Sequence, residues 1–228
     1  MYYFGWYQRH QSQFLRANLR KGDVFVDVGA HIGFYTLLGA SAVGAAGVVH
    51  AFEPNPVTFE RLAENIRMNG YDHVKAWPFA VTNRLGRGAL HLTTTTGELG
   101  WSSMFGDGIE DVPVETVTLD DCIRRCGLQH VDVVKIDAEG AELRIIEGMS
   151  EILRSMPPRL IMVELHGPAL GWAGATPAEV VQSLESFGYS CYQLKYKDLV
   201  RYETSDSRDV VEDVFFVHNP KSVSSPLR

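Results

Sequence analysis

Short, nearly unbroken apolar runs, each bounded by turn signals, set the rhythm of this chain: Val24–Val28, Val48–Phe52, and the stretches 74–79, 131–137 and 160–164. Runs of this length without polar alternation mark strands covered on both faces. Between them, apolar residues recur every three or four positions. Stretch 8–19 carries Phe14, Leu15 and Leu19 and stops at Lys21-Gly22-Asp23, and a small, Gly-containing helix is predicted over 33–42. Asn55 as cap and Pro56 at the first helical position open a third helix with Phe59, Leu62, Ala63 and Ile66 on one face. Thr118 caps a short helix, 141–153 reads as one helix ending before Pro157-Pro158, and Thr176-Pro177-Ala178-Glu179 is a capping box whose helix closes at Gly188.

Strands alternating with helices predict a parallel sheet with right-handed crossovers. Two final runs, 190–196 and 213–218, predict an antiparallel pair joined by the polar stretch 197–212. The fold class is therefore α/β, with a mostly parallel seven-stranded sheet, an antiparallel C-terminal strand pair and helices on both faces. Regularity weakens over 83–117, where a strand near 89–92, a threonine run and the glycines 97, 100, 106 and 108 predict a hairpin and loop. The expected organisation is one domain over 1–228, with an opening helix within 1–22, the 83–117 excursion and a frayed tail over 219–228.

Composition narrows the function classes. With 228 residues and 45% hydrophobic content the chain can bury one sizeable core. Its 28 acidic side chains exceed 21 basic ones, for a net charge of −7, and no basic stripe occurs, so no nucleic-acid partner is expected. Cys122, Cys126 and Cys191 form no disulfide framework and have no second Cys/His pair at metal-ligand spacing, which fits a reducing, cytoplasmic setting. The apolar stretch 34–49 is broken by Gly39, Gly44 and Gly47 and the N-terminus lacks a signal-peptide layout, so no membrane association is expected. Nothing in the pattern sets an oligomeric state.

Candidate chemistry concentrates at strand ends. Val26-Asp27-Val28-Gly29-Ala30-His31-Ile32-Gly33 closes the first strand with small residues at 29, 30 and 33, which let backbone approach a ligand. Glu53-Pro54 ends the second strand, where a carboxylate can accept hydrogen bonds from vicinal ribose hydroxyls. A dinucleotide enzyme would want further glycines where His31 and Phe34 stand. Asp27 near the mouth would repel a diphosphate yet suit a cationic ligand. The competing reading is a tight strand-to-helix turn with a capping acid. Phe79 and Ala80 end the third strand, where they can cover an adenine ring or simply pack in the core. Asp137-Ala138-Glu139-Gly140-Ala141-Glu142 gathers three carboxylates where a transferred group would meet its acceptor, although acids also favour helix N-termini for electrostatic reasons alone, the reading preferred for Glu142.

Three segments in order, 23–36, Phe52-Glu53-Pro54-Asn55-Pro56 and 134–142, resemble the FkbM family of O-methyltransferases, and Trp101-Ser102-Ser103 is similar to a serine pair carried between such segments. The resemblance implies a Rossmann-like class I methyltransferase fold, S-adenosylmethionine as cofactor and a hydroxyl on a sugar or natural product as small-molecule acceptor. It implies Asp27, Gly29 and Gly33 as the donor loop, Glu53 as ribose ligand and Asp137 as a lining residue. Where methyltransferases generally have the loop's middle glycine, this chain has His31, which the family tolerates. The expected cofactor set is thus Asp27, Gly29, Ala30, His31, Gly33, Glu53, Pro54, Phe79, Ala80 and Asp137. Glu139 or His166 is the candidate general base. Trp101, Ser102, Ser103 and Trp172 are candidate acceptor contacts, although the tryptophans could equally tuck loops onto the core. No metal is expected, clustered carboxylates at Asp137, Glu139 and Glu164 being weak grounds for one. The alternatives are a nicotinamide-dependent oxidoreductase, disfavoured by the missing glycines and the lack of a Tyr/Lys pair, and a non-catalytic module that binds S-adenosylmethionine.

Overall fold

A computed structural model describes residues 9–92, 102–196, 198–203 and 209–223. Helix α1 (Arg9–Asn18) lays Phe14 and Leu15 on the sheet and feeds β1 (Val24–Val28). Helix α2 (Phe34–Val43), β2 (Val48–Phe52) and α3 (Pro56–Met68) follow, and the Asn55 side chain caps α3 by accepting from the Val57 and Thr58 N–H groups. The third apolar run splits. Strand β3 (Val74–Trp77) stays at the edge of the main sheet, whereas β4 (Phe79–Val81) joins a second one, the two parted by Pro78, which has no N–H to offer a ladder.

The excursion is more regular than its sequence suggests. Strand β5 (Gly86–Leu92) is flanked by β6 (Ser102–Ser103) and by β7 (Glu110–Val117), both antiparallel, and β7 pairs parallel with β4. Residues 93–101 lie outside the described residues, and the expected contact Trp101 with them. Helix α4 (Leu119–Arg125) starts at its Thr118 cap and β8 (Val133–Ile136) follows. The single helix expected over 141–153 is two, α5 (Glu142–Glu147) and α6 (Ser150–Ser155), parted at Gly148, where a Cβ would collide with the Thr82 carbonyl. The chain continues through β9 (Leu160–His166), α7 (Gly167–Trp172), α8 (Pro177–Ser186), β10 (Ser190–Lys195), β11 (Asp198–Arg201) and β12 (Val211–Val217). The tail is held further than expected: the Asn219 side chain caps a 3-10 turn at Pro220–Ser222 by accepting from the Lys221 N–H.

The main sheet runs β11-β10-β12-β9-β8-β1-β2-β3. Its five strands from β9 to β3 are parallel and the rest antiparallel, so the seven expected strands are joined by an eighth, β11, on the edge beyond β10. Helices cover both faces. Val24, Val26 and Val28 pack with Ile145, Ile152 and Leu184 of α5, α6 and α8, whereas Phe25 points the other way, to Phe14 and Tyr35 of α1 and α2. No helix among the described residues is long and apolar enough to cross a membrane. Strand order reverses at β1, which lies between β2 and β8, and ligands of open α/β sheets sit outside the carboxyl ends at such a point. Val28 stands opposite both Phe52 and Ile136, so the loops that begin at Gly29, Glu53 and Asp137 emerge at one level.

Candidate functional site

A cavity of about 380 Å³ opens at these three loops. One wall is the main sheet's rim: Gly29, Ala30, His31, Glu53, Pro54, Lys135, Asp137, Glu139 and Glu164. The other is the second sheet, through Phe79, Ala80, Leu90, Ser102 and Met104. Gly29 is forced by its surroundings. Its φ is +74°, and a Cβ there would run into the Asp137 carbonyl, so only glycine lets the first loop lie on the loop after β8. His31, also left-handed with φ +51°, donates its backbone N–H to Glu53 Oε2 at 2.8 Å. Glu53 Oε1 accepts from the Asn55 N–H at 2.9 Å. Burial pushes Glu53 up to about 7 against the pull of those two N–H groups. The carboxyl is therefore fixed in direction, and each oxygen keeps a lone pair for the cavity.

Several expected residues stand elsewhere. Asp27 does not line the cavity. It lies two positions after Phe25 on the same face of β1, and is wholly buried, accepting from Thr36 Oγ1 at 2.6 Å with Lys135 Nζ 3.6 Å from its other oxygen. The carboxylate expected at the mouth thus lies behind the loop, where burial raises its pKa. Gly33 packs towards Leu62 of α3 and not into the cavity. Trp172 is 60% exposed and covers Gly106, so it tucks a loop and does not line this cavity. Ser102 lines the cavity, but Ser103 is buried and donates its hydroxyl to the Glu139 carbonyl at 2.6 Å. His166 caps α7: its Nδ1 accepts the Ala169 N–H, so in the neutral ring the proton sits on Nε2, 4.0 Å from Glu139 Oε2. In that tautomer the nitrogen facing Glu139 donates rather than accepts.

Lys135 is the residue that the sequence reading passed over. Its Nζ lies 3.0 Å from Asp137 Oδ2 and donates to the Gly29 carbonyl at 3.2 Å. Burial works against its charge, but Asp137 and Asp27 outweigh that and hold its pKa above the ordinary value. A lysine inside an apolar strand was the available signal, because a buried charge needs a partner. Around Asp137 the acids gather. Oxygens of Asp137, Glu139 and Glu164 come within 4.8 Å of one another. Burial first, then Asp137 and Glu142, raise Glu139 to about 8; burial, then Asp137, Asp213 and Glu139, raise Glu164 to about 9. Burial and the neighbouring acids thus favour the protonated forms of Glu139 and Glu164.

A family model described as the methyltransferase FkbM domain matches residues 27–191. The chain is 30% identical over 170 residues to the hexuronic acid methyltransferase AglP of Haloferax volcanii, a match spanning 71% of this chain and 61% of that protein. It is 28% identical over 205 residues to the 31-O-demethyl-FK506 methyltransferase FkbM of Streptomyces tacrolimicus, spanning 75% and 74%. The solved structure of methyltransferase FkbM from Methylobacillus flagellatus KT superposes with a TM-score of 0.58 at 17% identity, a likeness of fold over 95% of this chain and 48% of that one. The match therefore spans about three fifths of the first relative's length and about half of the solved structure's.

Proposed function

Because the chain belongs to the FkbM methyltransferase family, whose methyl donor is S-adenosylmethionine, we propose that this cavity binds that donor and serves methyl transfer to a hydroxyl of a sugar or natural-product acceptor. The observation that carries the reading is Glu53, a buried carboxyl held by two backbone N–H groups at the end of the strand beside the glycine turn. The residues present fit the donor. Glu53 offers lone pairs to vicinal ribose hydroxyls, the apolar Phe79 and Ala80 offer a flat wall to a base, and Asp137 offers a carboxylate to an ammonium. The cavity's volume lies within the roughly 300–1,000 Å³ of small-molecule sites. When bound, S-adenosylmethionine supplies an electrophilic methyl on a positively charged sulfur.

The chain's own residues do the rest by orientation and proton transfer. Lys135 ties the Gly29 carbonyl to Asp137, holding both loops in register around the ligand. Ser102 and Met104 close the side where an acceptor would lie. Glu139, once ionised, accepts the hydroxyl proton at its carboxylate as the acceptor oxygen becomes the nucleophile. A pKa near 8 makes it a stronger base than an ordinary carboxylate. The names of two relatives, one for a hexuronic acid and one for a 31-O-demethylated compound, support an oxygen acceptor of small-molecule size.

The experiment is transfer of labelled methyl from S-adenosylmethionine to a panel of hexose glycosides, hexuronosides and polyketide alcohols. We expect one class to be methylated on oxygen, and Glu139→Gln to lower its turnover by about 10²–10⁴-fold. Wild-type turnover in Glu139→Gln would remove Glu139 from the reaction.

A further inference from the structure

Glu139 is one of three non-glycine residues with a positive φ among the described residues, at +48°. That conformation is disfavoured for a glutamate and persists only when its surroundings impose it. Here they do so at one peptide unit. The Glu139 carbonyl accepts the Ser103 hydroxyl at 2.6 Å, and the N–H of the same peptide, on Gly140, donates to Glu142 Oε1 at 3.2 Å. The Ser103 hydroxyl cannot turn away, because its oxygen is itself engaged by the Phe105 N–H at 3.1 Å.

Ser103 belongs to the second sheet, not to the loop it grips. It sits on β6 opposite His91 of β5, and Phe105 just beyond it packs its ring 4.5 Å from the Arg144 guanidinium of α5. The excursion is thus pinned to the loop after β8 by a partly buried hydrogen bond and to α5 by a cation–π contact. Ser102 and Glu139 both line the cavity, so an acceptor touching the excursion pulls on the peptide that aims Glu139.

We propose that Ser103 is a positioning residue for Glu139, its hydroxyl locking the 139–140 peptide in the left-handed geometry that turns the Glu139 carboxyl into the cavity. This rests on the reading of Glu139 as the base. Without the lock, Glu139 relaxes to an ordinary right-handed or extended backbone and its carboxyl swings out of the group formed by Asp137, Lys135, Glu142, Glu164 and His166. Burial and the neighbouring acids then cease to hold its proton.

The test is carbon NMR of glutamate carboxyls in the full chain without ligand, titrated with pH and with Glu139 assigned by its loss in Glu139→Gln. In the unaltered chain Glu139 titrates near 8. In Ser103→Ala it titrates lower by about one pH unit or more. Ser103→Thr, which keeps the hydroxyl, restores the unaltered curve, and Ser103→Cys, a weaker donor of similar size, lies between the two. Affinity for S-adenosylhomocysteine stays within about twofold in all three, since the donor half of the cavity is untouched. An unchanged Glu139 titration in folded Ser103→Ala and Ser103→Cys would overturn the positioning role and leave the base reading standing. Ordinary carboxylate titration of Glu139 in the unaltered chain would overturn both.

Discussion

Lys135 decides what the acids around it can do. As the sole cation in β8 it spends its charge on Asp27 and Asp137, which leaves Glu139 and Glu164 with burial and like charge on their side. Their folded pKa values near 8 and 9 stand above the ordinary 4.5, so the folded chain keeps protons that the unfolded chain has lost. The stability this confers is complete below about pH 4.5, declines as pH rises and is gone once pH passes the folded values. Each such group steepens the decline by about 1.4 kcal/mol per pH unit across that window. Denaturant unfolding of the ligand-free chain between pH 5 and 9 should show this fall, and Glu164→Gln should flatten it by about one group's share; an equal slope in both would remove Glu164 from the cluster. At this scale the placing of the glycine turn and Glu53 at one rim was legible, because each directly follows an apolar strand run. Asp27 was misplaced for a reason the strand period already contained: two residues after Phe25, it faces α2 and not the cleft. His166, a candidate base in the sequence, was not legible as a cap, because that role depends on the short helix α7, which the glycine-rich sequence 167–174 does not announce.

Elements whose ends carry their own chemistry were legible to the residue. Asn55, Thr118 and Thr176 cap the helices they were expected to cap, and β1 and β2 have the predicted bounds. Elements defined by distant partners were not. Strand β7 alternates only over 112–116, carries Pro113 in that run, and is held by pairing with β5 and β4. Polar β11 has only an edge to join. The break between α5 and α6 belongs to the same class, since it depends on Thr82 lying against Gly148. The exposed start of α6 is then satisfied from afar: Asp120 of α4 accepts the Glu151 and Ile152 N–H groups, both at 3.0 Å. Asp120→Ala should cost about 1 kcal/mol, as lost helix caps do, and lower the melting temperature by about 2–4 °C. Asp120→Asn, which keeps one acceptor, should recover part of that; no thermal shift in Asp120→Ala would show that water replaces the cap without penalty.

Over the whole molecule the two ends of the sheet divide the labour. At the amino ends of the strands Arg159 pairs with Asp23, lies 3.1 Å from Asp132 and donates to the Asn18 carbonyl at 2.6 Å, closing α1, β1 and β8 into one clasp. At the carboxyl ends three loops meet around a cavity, tied by Lys135 to Gly29 and Asp137, with the second sheet laid across it. A rigid base beneath an adaptable rim is how α/β folds carry function. The claim on which the rest depends is that this rim binds the nucleoside donor through Glu53. Calorimetry with S-adenosylhomocysteine tests it most directly. The unaltered chain should bind one equivalent, and Glu53→Ala, still folded by circular dichroism, should bind at least about tenfold more weakly, since it loses two hydrogen bonds of roughly 0.5–1.5 kcal/mol each. Binding of equal strength in Glu53→Ala, or no binding to the unaltered chain, would contradict it.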